Sequence, residues 1–210
     1  MRVRRMSQGN SEVPRCFKIV TALVLAGAAL SGCGAEGVQA TEVRTFAPWA
    51  PSGELNPDVE RGAEVSGTCE GSSSSLQRSD AFRCFFETPA DGSTVGDPCF
   101  AGGNEQVACF AEPGGEATVV TLTEPLPEAT VTDLEPQEGL PWAMTLESGQ
   151  ECGFVGGATA AVGSDRLNYG CDDGTMVYGE PDRSQPVWTV KVGREGFSTL
   201  SAERVELAWF

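Results

Sequence analysis

Six cysteines spread across residues 64–210, namely Cys69, Cys84, Cys99, Cys109, Cys152 and Cys171, constrain the fold of this chain more than any other feature. An even number of cysteines in an exported chain reads as a disulfide framework, and the basic, then apolar, N-terminus has the character of an export signal. Six cysteines are compatible with about fifteen connectivities. Sequential pairing, Cys69 with Cys84, Cys99 with Cys109 and Cys152 with Cys171, closes short loops inside successive hairpins and is the expected arrangement. Loops of this size each contribute on the order of 3 kcal/mol. A zinc reading lacks support, because there is no CxxC pair and no histidine to complete a mixed site.

The pattern between the cysteines is that of strands. Trp142, Met144 and Leu146 alternate with Ala143, Thr145 and Glu147, and Trp188, Val190 and Val192 alternate with Thr189 and Lys191. Val205, Leu207 and Trp209 repeat the pattern and predict a paired terminal strand with those three side chains on one face. Further strands are expected at 118–123, near 167–171 and at 175–178, with Asp172-Asp173-Gly174 turning between the last two. Ser79 and Asp80 are placed to cap a short helix over 79–87 that carries Phe82, Cys84 and Phe86. Pro141-Trp142 and Pro186-Val187-Trp188 each open a strand. The 147 residues from Glu64 to Phe210 suffice for one domain with its own core, since chains of that size bury roughly 70% of the surface exposed when unfolded. The expected fold is mainly β: a single disulfide-stapled antiparallel domain, sandwich or barrel-like, with at most one or two short helices.

The N-terminus carries Arg2, Arg4, Arg5, Arg15 and Lys18, then an apolar run from Ile19 to Leu30, then Ser31-Gly32-Cys33. Leu30-Ser31-Gly32-Cys33 resembles a bacterial lipobox. The resemblance implies a signal peptide over 1–32 and a diacylglycerol on the Cys33 sulfur, which makes Cys33 an anchor and not a disulfide partner. Two or three acyl chains together hold a protein stably on a bilayer. The apolar run is short of the roughly 20 residues that a spanning helix needs. Val38-Gln39-Ala40 is a weaker, A-x-A-like site for release as a soluble protein, and Arg4-Arg5 lacks the apolar residues that usually follow a twin-arginine pair. Residues 33–63 read as a lipidated N-terminus and flexible tether rich in proline and glycine, with Phe46 and Trp49 able to pack back on the domain at 64–210.

Removing residues 1–32 takes away five of fourteen basic and one of thirty acidic side chains, leaving nine against twenty-nine and a net charge of −20. Such a field disfavours nucleic acid and anionic lipid headgroups and favours basic partners or cations. Without histidine, neither a Ser-His-Asp nor a Cys-His nucleophilic site can form. Gly153-Phe154-Val155-Gly156-Gly157 lacks the spacing of a phosphate loop and reads as a loop inside the Cys152 to Cys171 closure. No catalytic residue, cofactor or metal ligand is assigned. Arg78 with Asp80, and Asp182 with Arg183, read as ion pairs that hold loops.

The function expected is non-enzymatic binding at the cell envelope by a lipid-anchored extracytoplasmic protein, with an envelope protein or polymer as partner. A second reading is a carboxylate-dependent glycan hydrolase, in which Glu147, Glu151, Asp172 and Asp173 become neighbours through the Cys152 to Cys171 bond. A third is a sensor or accessory subunit of a membrane complex, marked by an exposed apolar patch.

Overall fold

The computed structural model describes residues 39–89, 92–131, 133, 135–136, 138–157, 159–194, 196 and 199–210. The expected leader over 1–32, with Cys16, and the lipidation candidate Cys33 lie outside the described residues. The described chain is all β. Its strands are β1 (Glu42–Arg44), β2 (Arg61–Ser72), β3 (Ala81–Thr88), β4 (Gly92–Ala101), β5 (Gln106–Cys109), β6 (Ala117–Leu122), β7 (Ala143–Leu146), β8 (Glu151–Phe154), β9 (Ala161–Val162), β10 (Asp165–Cys171), β11 (Thr175–Asp182), β12 (Thr189–Arg194) and β13 (Ser201–Trp209).

These strands close into two barrels. The first is the meander β2 to β6. An up-and-down ribbon of odd strand number must close with its first and last strands parallel, and β2 pairs with β6 in parallel, Val65 opposite Val120. The second runs β7, β8, β10, β11, β12, β13 and closes antiparallel, as an even number requires, with Trp209 opposite Ala143. Strand β9 extends β10 as a short hairpin, and β1 adds to β13 in parallel. Closure removes most of the free sheet edge that an open antiparallel sheet presents.

Alternation along the strands sorts the apolar side chains into three cores. Phe82, Phe86, Val107 and Val120 fill the first barrel, and Met144, Leu146, Tyr169, Val177, Val190 and Val205 fill the second. The third core joins the barrels: Phe46, Phe100, Phe110 and Trp142 pack edge to face, with Phe46 at 4.9 Å from Phe110 and 5.5 Å from Trp142, centroid to centroid. The stretch Pro98–Phe100 of β4 and strand β5 are buried on both faces for this reason, Val107 pointing into the barrel and Ala108 into the junction. The expected β domain is therefore built from two barrels within one compact unit, Val38–Phe210.

Three expectations are corrected by these elements. The short helix over 79–87 is strand β3: Phe82, Cys84 and Phe86 share the inner face, and Cys84 pairs with Cys69 across the ladder. Aromatic residues at every second position satisfy a strand at least as well as a helix, and the cross-strand partner decides. The flexible tether expected over 33–63 is built into the domain across its described residues, 39–63. Strand β1 pairs with β13, Phe46 is 9% exposed in the junction core, Trp49 donates its indole N–H to the Phe100 carbonyl at 2.9 Å, and β2 already begins at Arg61. The terminal strand does not keep one alternation. Register shifts between Val205 and Leu207, so Val205, Ala208 and Phe210 face the barrel interior while Trp209 turns outward to the junction. A bulge of one residue exchanges the faces of everything that follows it.

Candidate functional site

All three cysteine pairs are bonded in the sequential arrangement, Cys69–Cys84, Cys99–Cys109 and Cys152–Cys171. Each joins residues directly opposite one another on antiparallel strands, with Cα atoms 3.9, 3.9 and 4.0 Å apart.

The Cys152–Cys171 bond fixes β8 against β10, and on the outer face of that ladder the chain is bare. Gly153 stands opposite Gly170, Ala143 stands opposite Gly153, and Trp209 stands opposite Ala143. Read across four strands, this row has an indole at one end and no side chain larger than a methyl group beyond it. Neither glycine adopts positive φ. A Cβ would meet only the Ala111 carbonyl at 3.7 Å from position 153 and the Val155 side chain at 3.5 Å from position 170, both ordinary contacts. Backbone strain and crowding therefore do not account for these glycines. Glycine within a strand also marks a place where another group comes close to the backbone.

The row is the floor of a trough of about 290 Å³ at the junction of the barrels. One wall is Ala111, Glu112 and Pro113, from the connection that leaves β5 of the first barrel. The other is the next row of the second barrel, where Thr145 stands opposite Glu151 and the Asp172 N–H donates to the Glu151 carbonyl at 3.1 Å. Glu112, Glu151 and Asp172 are exposed, so three carboxylates rim a small-residue floor. Trp209 is held at its end by the Arg44 guanidinium, 5.4 Å from the ring centroid, and by Phe46 edge-on at 6.1 Å. Clefts at the seam between two packed units are common places for ligands.

The four carboxylates singled out from the sequence separate into two pairs. Glu151 and Asp172 reach the trough. Glu147 accepts from Arg204 at 2.9 Å, and Asp173 accepts from Arg194 at 3.0 Å and from the Thr175 N–H at 2.8 Å. Hydrogen bonds from the Thr175 hydroxyl and N–H hold the Asp173 carboxyl below its ordinary pKa. Arg78 forms the expected fork on Asp80, at 2.9 and 2.6 Å, and also donates to the Phe46 carbonyl at 2.6 Å. The Asp182 to Arg183 pair is replaced by other partners. Arg183 donates to the carbonyls of Pro136 and Gly139 and lies 4.6 Å from the Trp188 ring centroid, and Asp182 accepts the Ser184 N–H.

Sequence reasoning missed Glu112, Trp209 and the paired glycines. Gly153 was expected in a loop and lies in β8. Its signal was a glycine inside the alternating pattern beside Cys152, which becomes informative only when Gly170 is known to face it. The chain matches no family model, no curated protein and no solved structure.

Proposed function

We propose that this protein is a membrane-anchored extracytoplasmic binding protein: a lipid on Cys33 holds it at the envelope, and the trough between its barrels receives a basic group, an amine or guanidinium carried by an envelope protein or polymer. The observation that carries the reading is the bare floor of Ala143, Gly153 and Gly170 beneath the carboxylates of Glu112, Glu151 and Asp172. A cation lying on that floor meets negative charge on both walls and an indole at one end. Three disulfides suit an oxidising compartment, and a net charge of −20 beyond residue 32 raises the local concentration of basic partners.

Two measurements test the two halves. Calorimetric titration of the full chain with an acetylated, amidated tri-arginine peptide should give one saturable event that weakens as salt is raised. In the double variant Glu151→Gln/Asp172→Asn, affinity should fall at least about tenfold, or about 1.4 kcal/mol. Unchanged affinity in a folded double variant rejects the trough as the binding site. For the anchor, intact mass of membrane-extracted protein should begin at Cys33 with added acyl chains. A lipid-free mass beginning at Thr41 rejects it.

A further inference from the structure

Sulfur is concentrated at one place inside the first barrel. Cys69–Cys84 ties β2 to β3 and Cys99–Cys109 ties β4 to β5, and the sulfur atoms of Cys84, Cys99 and Cys109 all lie within 4.8 Å of one another. Heavy atoms count as touching at about 4.0–4.5 Å, so the two disulfides are near contact. The register explains the approach. Across β3 and β4, Phe82 stands opposite Cys99 and Cys84 opposite Gly96, so a bulge leaves Asp97 and Pro98 facing Arg83 alone. A Cβ at position 96 would fall 2.7 Å from the Cys99 sulfur and 2.9 Å from that of Cys109. The Cys99–Cys109 bond thus fills the space that a side chain at position 96 would take up beside Cys84, and no residue separates the two bonds there.

Access to the cluster is one-sided. Cys84 and Cys99 are 0% exposed and Cys109 is 4% exposed, whereas Cys69 is half-buried at the outer end of the pair. Of these four residues Cys69 is therefore the one that a thiol arriving from solvent can reach. Rates of exchange depend on which sulfur is reachable and on what thiolate is released.

We propose that Cys69 is a thiol-exchange site and that the two disulfides form one exchange-coupled unit, opened by a small thiol of the cell envelope. The thiolate of that small molecule bonds to the Cys69 sulfur, and the electron pair of the broken bond leaves on Cys84. The Cys84 thiolate then bonds to Cys99 or Cys109, and the other member of that pair leaves as a thiolate that takes a proton from solvent. The number of disulfide bonds is unchanged, so no oxidant or reductant is consumed. The product carries a mixed disulfide on Cys69, a new bond from Cys84, and one free thiol on β4 or β5. Opening is thereby passed from β2 through β3 to β4 or β5.

The third disulfide is a built-in comparison. Cys152–Cys171 also joins one half-buried and one buried residue, but among the described residues no third cysteine sulfur gathers with it. Its opening should leave the free thiol where it forms, on Cys152.

Brief exposure of the native full chain to cysteamine, a cationic thiol that the acidic protein does not repel, followed by acid quench, alkylation and peptide mapping, tests the proposal. The expected map shows cysteamine on Cys69, alkylation on Cys99 or Cys109, and a peptide crosslinked from Cys84 to one of them. Alkylation confined to Cys84, with Cys99–Cys109 intact, overturns it. So does cysteamine on Cys99 or Cys109 ahead of Cys69. In the variant Cys69→Ala/Cys84→Ala, opening of Cys99–Cys109 should slow at least tenfold, and an unchanged rate overturns the coupling. If that variant does not fold, the wild-type map decides alone.

Discussion

Tyr169 shows how much a single side chain carries here. Its ring is 0% exposed in the core of the second barrel and its hydroxyl donates to the Pro141 carbonyl at 2.8 Å, closing the approach to β7. Tyr169→Phe leaves that buried carbonyl without its donor and should lower stability by about 1–3 kcal/mol, read from a denaturant midpoint. Burial pushes the phenol above its ordinary pKa. Ionisation is thus harder in the folded chain than in the unfolded one. The stability that follows is complete below the ordinary tyrosine pKa of about 10 and declines as pH rises beyond it; Tyr169→Phe should flatten the alkaline limb, and an equally steep limb in the variant would assign that limb to other groups. Gly170 makes an opposite kind of prediction. Alanine is favoured over glycine inside a strand by roughly 0.5–1 kcal/mol, and a Cβ there meets nothing closer than 3.5 Å. Gly170→Ala should raise the unfolding midpoint while weakening the tri-arginine peptide, a pairing of gain and loss expected where glycine is kept for a ligand and not for the fold.

At the scale of elements, the ladders were legible where one face alone is buried. Into and along β12 the expected alternation of Trp188, Val190 and Val192 is the observed one, with all three in one core, and the Asp172-Asp173-Gly174 turn forms with Gly174 at φ +82°. The cysteine pairing was legible as well, because neighbouring strands of a meander bring neighbouring cysteines opposite one another. Legibility ended where a second partner entered. Strand β3 resembled a helix until Cys69 paired with Cys84, and β13 changed face at its bulge because Trp209 and Ala208 answer to different cores. Segment 42–46 gives no periodic signal, being three residues of strand and one aromatic plug. Phe46 touches Phe100, Phe110, Trp142 and Trp209 at once. Phe46→Ala should therefore cost about 3–5 kcal/mol, as a large buried aromatic does. Near-ultraviolet circular dichroism should lose its tryptophan signal with little change in far-ultraviolet strand content; a stability loss below 1 kcal/mol would mean that the junction holds without its plug.

For the whole molecule, three small cores and three crosslinks among the described residues replace one large core. Exposed carboxylates add to this through turns and loops: Asp133 accepts from Ser79, Asp173 from Thr175 and Asp182 from Ser184, and those hydrogen bonds hold each carboxyl below its ordinary value. Their contribution is complete above the unfolded carboxylate range near about 4 and is lost as pH falls through the lower folded values. Unfolding midpoints should thus be level around neutral pH and drop in acid, with Asp173→Asn showing the shallower acid slope; parallel curves for the two proteins would remove Asp173 from the account. What the sequence determined by itself was local: strand periodicity, turn chemistry, the even set of cysteines, the absence of histidine and the acidic charge, each a property of residues close along the chain or of composition alone. Tertiary structure alone decided that there are two barrels, that Trp209 faces their junction, and that Gly153 and Gly170 lie side by side beneath Glu151, Asp172 and Glu112. The reason is physical. Barrel closure and bulge register depend on pairing between strands distant in sequence, and a site made by what is missing from two strands becomes visible only once those strands are neighbours.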